Sequence, residues 1–304
     1  MRTTIVFAAL VAASSSTLAY EPEKHHTLAG YSVDLFNACA LTLSFESRIT
    51  LSDKATIQRY DAGEDNFLSK LPRRTFNWHF YNQNKEPEQK HGLINRSMTG
   101  LLASLDHNIV HTRTFDPKLA GSALHFIEDV TVPAHVMPVF HGPVLPLLMG
   151  GATGHYKPGN IHDQIDGWKI DSNRIEKELS ALGIDPLQCQ ALFEQQNVSD
   201  NPTLTRVQQT ATQTLDAVNQ PIAECQTPWR WFWDVDYGNT YFTGYRYDWD
   251  DNSDATFGET STLENSCSVK RDDYNDFVFE RHLQAIKAGT AFLAYFSQIK
   301  GPGS

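Results

Sequence analysis

The sequence predicts an all-α protein, a single mainly helical domain with long loops, and three observations carry that expectation. Apolar residues recur at mixed three- and four-residue intervals in several segments, strand signals are scarce, and no stretch has the composition of an interdomain linker. Neither an internal repeat nor a low-complexity tract is present.

The elements follow in chain order. The segment HTLAGYSVDLFNACALTLSF, residues 26–45, has helical apolar spacing. SALHFIEDV, residues 122–130, reads as a short helix ended by Pro133, and IEKELSALG, residues 175–183, closes on Gly183 as a C-cap. Residues 204–226 supply another helix, and residues 272–299 form a long, mostly buried one. The best strand signal is WRWFWDVDYGNTYFTGYRYDW, residues 229–249, where aromatics crowd around Gly238 and Gly244 in a hairpin or an aromatic-rich loop.

The first nineteen residues read as a secretory signal peptide: Arg2, an apolar run from Ile5 to Ala13, and small residues closing at Ala19. Cleavage there starts the mature chain, residues 20–304, at Tyr20 and exports it to an extracellular or periplasmic space. No later segment approaches the roughly 20 consecutive apolar residues that a membrane span needs. The four cysteines, Cys39, Cys189, Cys225 and Cys267, lack any C-x-x-C spacing, so in an oxidising compartment they predict two disulfides of open connectivity. A formal net charge of −11 argues against affinity for nucleic acid through a broad basic surface. It leaves open an enzyme that meets phosphate through bound metal.

Twelve histidines are present, several at metal-ligand spacings. His125 and Asp129 stand four apart, so on a helix they share a face, and Pro133 ends that helix where His135 can fold back. His162 and Asp166 repeat the spacing. Imidazole and carboxylate both suit zinc, and a buried carboxylate is costly unless paired or bound to metal.

The motif HFIEDVTVPAH resembles the core motif of the bacterial zinc-dependent phospholipases C, which share a fold and a trinuclear zinc site with the zinc-dependent single-strand nucleases. Upstream, FNWHFYNQ is similar to the phospholipase His-Phe-Tyr segment and supplies His79, and GEDNF supplies Asp65. The resemblance implies an all-α fold of the phospholipase C and zinc nuclease type, with three zinc ions per chain. One would be held by Asp65, His79, His125 and Asp129, a second by His135, His162 and Asp166, and a third by the Tyr20 backbone, His25 and Asp129 as a bridge. Tyr20 departs from the family's usual tryptophan, His26 rivals His25, and His141 and His155 rival His162, which alone has an acidic residue four places on.

By the same resemblance, the reaction is hydrolysis of a phosphodiester, with Asp65 also orienting the attacking water. For a phospholipid substrate, Phe76 and Glu23 match head-group contacts, the apolar stretch Val144 to Met149 could touch a lipid surface, and Trp229, Trp231 and Trp233 favour interfaces. The expected partners are then phospholipid and, transiently, a membrane surface, for a monomer without a stable nucleic-acid complex. For single-stranded nucleic acid, the aromatics could stack on bases, and Asp166 and the short step from Tyr20 to His25 lean the same way. A secreted protein whose histidines merely chelate metal is the non-enzymatic alternative.

Overall fold

The computed structural model describes residues 22–65, 81, 98–136, 165, 168–194, 200–222, 228–230, 255–257, 267–269 and 271–299. Among these the chain is all-α. The helices are α1 (Pro22–Thr42), α2 (Leu51–Glu64), α3 (Thr99–His111), α4 (Pro117–Asp129), α5 (Ser172–Gly183), α6 (Pro186–Glu194), α7 (Pro202–Val218) and α8 (Arg271–Ile299). A 3-10 turn follows α4 at Pro133–His135, and two three-residue strands, β1 (Ala255–Phe257) and β2 (Cys267–Val269), pair antiparallel. No described helix is long and apolar enough to cross a membrane.

Local signals start and stop these helices. Thr50 caps α2 by accepting the Asp53 amide, Asp116 caps α4 by accepting from Lys118, and Pro117 takes the first position of α4, where its missing N–H costs nothing. The α1 end is a Schellman turn built on Ser44 at φ 54, in which the Phe45 amide reaches Ala40 O (2.8 Å) and the Ser44 amide reaches Leu41 O (3.2 Å). Asn37 then clamps the α1–α2 connection, donating to Ile49 O and accepting from Ile49 N at 2.9 Å each. A distant residue caps α7: buried Asp106 on α3 accepts from the amides of Thr203 (2.7 Å) and Leu204 (3.1 Å).

The core forms where α1, α4 and α8 meet, with Leu28, Leu35, Phe36, Leu124, Phe292 and Phe296 fully buried. Small residues allow the close crossing. A Cβ on Gly289 of α8 would lie 2.6 Å from Ser32 Oγ and 3.0 Å from Leu124 Cδ2, and the Thr290 hydroxyl donates to Ser32 O. The crossing of α2 on α4 is tighter still, because a Cβ on Gly121 would stand 2.4 Å from the Ile57 carbonyl oxygen and 3.0 Å from the Asp61 nitrogen. Both neighbours are backbone and cannot rotate away.

Several expectations are refined. The 122–130 helix begins earlier, at Pro117, because Asp116-Pro117 is the stronger start signal. The helix expected over 204–226 spans Pro202–Val218 and stops at Asn219, two residues before Pro221. Gly183 is the last residue of α5 rather than a left-handed cap; its Cβ would press 2.8 Å from Ala38 Cβ, so close approach to α1 is what requires glycine there. Trp229 does not face an interface: it is buried and stacks on Phe277 with ring centroids 4.5 Å apart. The rest of the aromatic segment lies outside the described residues.

One disulfide is defined, Cys39–Cys189, joining α1 to α6 across 150 residues of sequence. A bridge closing so long a loop restricts the unfolded chain and contributes about 2–5 kcal/mol. Cys225 and the side chain of Cys267 lie outside the described residues.

Two predictions follow from this packing. Gly121→Ala should destabilise the protein by about 1–3 kcal/mol, since α2 and α4 must separate, whereas Gly63→Ala, with nothing within 4 Å of its Cβ, should be neutral or stabilising by up to about 1 kcal/mol. Urea unfolding of the two variants checks this, and equal effects would contradict the crossing.

His282 on α8 gives the second prediction. Burial, helped by the Lys24 charge, lowers its pKa from 6.5 to about 3. Above pH 6.5 the residue is neutral in both states; as pH falls toward 3 only the unfolded chain takes the proton, so stability is lost through that window at up to about 1.4 kcal/mol per pH unit. His282→Gln should flatten the acid limb of the stability curve measured by denaturation between pH 6.5 and 4.

Candidate metal centre

Three helix ends build the site. His25 comes from the first turn of α1, Asp61 and Glu64 from the last turn of α2 with Asp65 as its C-cap, Glu128 and Asp129 from the last turn of α4, and His125 from the turn before it. All seven side chains are buried. On α2 and α4 the acidic residues occupy the turn where the helix dipole is negative, and neither last turn contains a basic residue. Stability alone would favour lysine or arginine there.

The carboxylates flank two sides of the imidazoles of His25 and His125, whose rings are tilted by 31° with centroids 4.1 Å apart. On the inner side, His25 Nε2 lies 3.4 Å from Asp129 Oδ1 and 3.7 Å from Asp65 Oδ2, and His125 Nε2 lies 3.5 Å from Asp129 Oδ2 and 3.6 Å from Asp65 Oδ1. Each inner carboxylate thus turns one oxygen toward each imidazole. On the outer side, His25 Nδ1 and Glu128 Oε2 share a hydrogen bond at 2.8 Å, and Asp61 Oδ1 sits 3.4 Å from His25 Nδ1 and 3.5 Å from His125 Nδ1. Glu64 Oε1 accepts from the Ser122 hydroxyl at 2.6 Å, tying α2 to α4 beside the cluster.

This donor set fits a cation. For bonds of ~2.0–2.2 Å, as zinc makes to nitrogen and oxygen, two ligand atoms of one ion stand about 3.3–3.6 Å apart, close to the inner separations of 3.4 to 3.7 Å, each of which pairs one imidazole nitrogen with one carboxylate oxygen. Electrostatics agree. Burial first, and then the neighbouring Asp65 charge, pushes the Asp61 carboxyl well above its usual range; burial and the charges of Asp61 and Asp129 do the same to Glu128. Two unit charges about 4 Å apart repel by ~4 kcal/mol at an effective dielectric of 20, so a divalent ion among these carboxylates removes a large penalty. The buried histidine, aspartate and glutamate group could hold a metal ion.

Of the sequence-selected residues, the structure gathers His25, Asp65, His125 and Asp129. It places His26 on the surface, where the Gln58 amide contacts its ring (3.3 Å) and its carbonyl (2.8 Å), and so separates the two neighbouring histidines. His135 is buried in the 3-10 turn, its carbonyl accepting the Tyr81 amide at 2.8 Å, and joins neither group of converging donors. Glu23 is exposed in the first turn of α1. Tyr20, Phe76, His79, His162, Asp166 and the apolar stretch Val144 to Met149 lie outside the described residues.

Asp61 and Glu128 were not selected from sequence. The signal for Asp61 was available, since it precedes Asp65 by four residues as His125 precedes Asp129. Glu128 gave none, because position 128 takes meaning only when α1 is docked. None of the family models, curated proteins or solved structures compared with this chain matches it.

A metal-free sample should melt at lower temperature than one supplied with excess divalent cation. Ligand at 1,000 times its dissociation constant stabilises by ~4 kcal/mol, and His125→Ala should abolish the shift. Melting curves in chelator, zinc and cobalt test this; coincident curves for the wild-type protein would remove the metal centre.

Proposed function

We propose that the chain is a secreted zinc metallohydrolase of the phospholipase C type, cleaving the glycerol-side phosphodiester bond of phosphatidylcholine-like lipids to diacylglycerol and a phosphorylated head group. The observation that carries this reading is the convergence of buried donor atoms from His25, Asp65 and His125, with Asp129 turning one oxygen to each imidazole at 3.4 and 3.5 Å. It joins the motif HFIEDVTVPAH to an arrangement of side chains that can do what the resemblance implies.

Zinc bound here would lower the pKa of a coordinated water toward ~7 and stabilise charge on the phosphoryl oxygens. The protein's part is positional. Asp65 and Asp129 each span both imidazoles, as suits carboxylates shared by neighbouring ions, and Asp65 is the candidate for orienting the attacking water. His79, His135, His162, Asp166 and the Tyr20 backbone are the remaining ligands of a three-zinc site by resemblance. Phe76 and the exposed carboxylate of Glu23, two residues before His25, are suited to a cationic head group, the aromatic face contributing ~0.5–2 kcal/mol. A single-strand nuclease is the second reading, favoured by aspartate rather than glutamate at position 166.

Purified protein beginning at Tyr20 should contain close to three zinc per chain and hydrolyse p-nitrophenylphosphorylcholine, with turnover lost in chelator and restored by zinc. Phe76→Ala should weaken phosphatidylcholine cleavage by about 2- to 30-fold, the equivalent of the cation–π contribution, while leaving zinc content unchanged. Rapid degradation of single-stranded DNA with phosphatidylcholine untouched would transfer the assignment to the nuclease reading, and no turnover on either substrate would leave a metal-binding protein.

A further inference from the structure

We propose that Asp61 and Glu128 are positioning residues, outer carboxylates that hold the Nδ1 edges of His25 and His125 and so aim both Nε2 atoms at a cation held with Asp65 and Asp129. The inference rests on the metal-centre reading and adds residues that the motif resemblance does not supply. Its basis is the sidedness of the cluster. The imidazole–carboxylate contacts on the inner side run from Nε2 to Asp65 or Asp129, and those on the outer side run from Nδ1 to Asp61 or Glu128, which also face each other.

An imidazole that ligates through one nitrogen is oriented by what its other N–H meets, and a carboxylate there fixes the tautomer and strengthens the ligand. Glu128 Oε2 meets His25 Nδ1 at 2.8 Å, an ordinary hydrogen-bond length. Asp61 Oδ1 faces both rings, 3.4 Å from one Nδ1 and 3.5 Å from the other, at ion-pair rather than hydrogen-bond distance, so its hold on each imidazole is electrostatic and weaker than that of Glu128 on His25. Both carboxylates are rigidly mounted. Asp61 lies in α2 where Gly121 packs against its own backbone nitrogen, and Glu128 lies in the last turn of α4, whose carbonyl at position 128 accepts the Thr131 hydroxyl at 2.7 Å.

The competing assignment is a second ion held by His25 Nδ1, Asp61 and Glu128, whose donor atoms also converge. Geometry disfavours it. Two ligands of one tetrahedral ion with bonds of ~2.0–2.2 Å stand about 3.3–3.6 Å apart, and the 2.8 Å between His25 Nδ1 and Glu128 Oε2 leaves room for a proton but not for a metal. A ring already ligating through Nε2 would also have to lose its last proton to take a second ion.

The test compares wild type with Glu128→Ala, Glu128→Gln and Asp61→Asn by competition for zinc with a chromophoric chelator, by the number of ions bound, and by the cobalt(II) absorption spectrum. Loss of an outer-sphere partner typically weakens metal affinity 10- to 100-fold. That loss is expected for Glu128→Ala, with partial recovery in Glu128→Gln, a several-fold loss in Asp61→Asn, and an unchanged ion count and cobalt spectrum. Unchanged zinc affinity in the folded variants would reduce both residues to a structural role and overturn the proposal, as would loss of one whole ion equivalent, which would make them ligands. Should Glu128→Ala not fold, the two isosteric amides decide by the same criteria. A wild-type protein that binds no zinc would overturn the metal centre itself, an outcome distinct from unchanged affinity in the variants.

Discussion

The close crossing of α2 on α4 is the constraint on which the site depends. Ile57 and Asp61 lie against Gly121, and Asp61 and Asp65 lie against His125, so two series of positions at four-residue spacing run side by side in the same order. Only glycine at 121 permits this, since any Cβ would meet the Ile57 carbonyl at 2.4 Å. Because the order is shared, the two C-terminal ends finish together. Their dipoles add rather than cancel, each equivalent to roughly half an elementary charge.

Onto those two negative ends the sequence loads Asp61, Glu64, Asp65, Glu128 and Asp129, all buried. A fold selected only for stability would avoid this, since buried carboxylates without compensation take up protons or disfavour the folded state. Two features already offset part of the cost. The first turn of α1, with the positive end of its dipole, points His25 into the cluster, and the Ser122 hydroxyl satisfies one Glu64 oxygen. The remaining negative charge favours a cation, so binding of an ion here would be coupled to folding stability, as it is in metal-dependent proteins.

Much of this was legible in the sequence, and the rest was hidden for physical reasons. Helical class, the long final helix and the shared face of His125 and Asp129 follow from periodicity, which depends only on 3.6 residues per turn. Asp65 and His25 were legible only through resemblance to a motif, because their partners lie on other helices. Helix starts were read late where a cap lay outside the apolar run, as with Asp116, or came from another helix, as with Asp106 capping α7. Gly183 was misread because a glycine required by close packing and one required by a left-handed turn look identical in sequence. Trp229 was ambiguous for a similar reason: an aromatic cluster suits an interface and a core equally until Phe277 is placed beside it.

The described donors share one further property: each sits within two turns of a helix end, or caps it, and none depends on a free loop. The helices are in turn locked by contacts distant from the site, through Ser32, Gly289 and Thr290 between α1 and α8 and through Cys39–Cys189 between α1 and α6. Metal sites tolerate ligand errors of only about half an ångström, and a helix end held by a packed core can meet that where a loop cannot. The inner separations near 3.5 Å are therefore a product of core packing. Substitutions at the α1–α8 crossing should act on the site by shifting His25 relative to the α2–α4 pair.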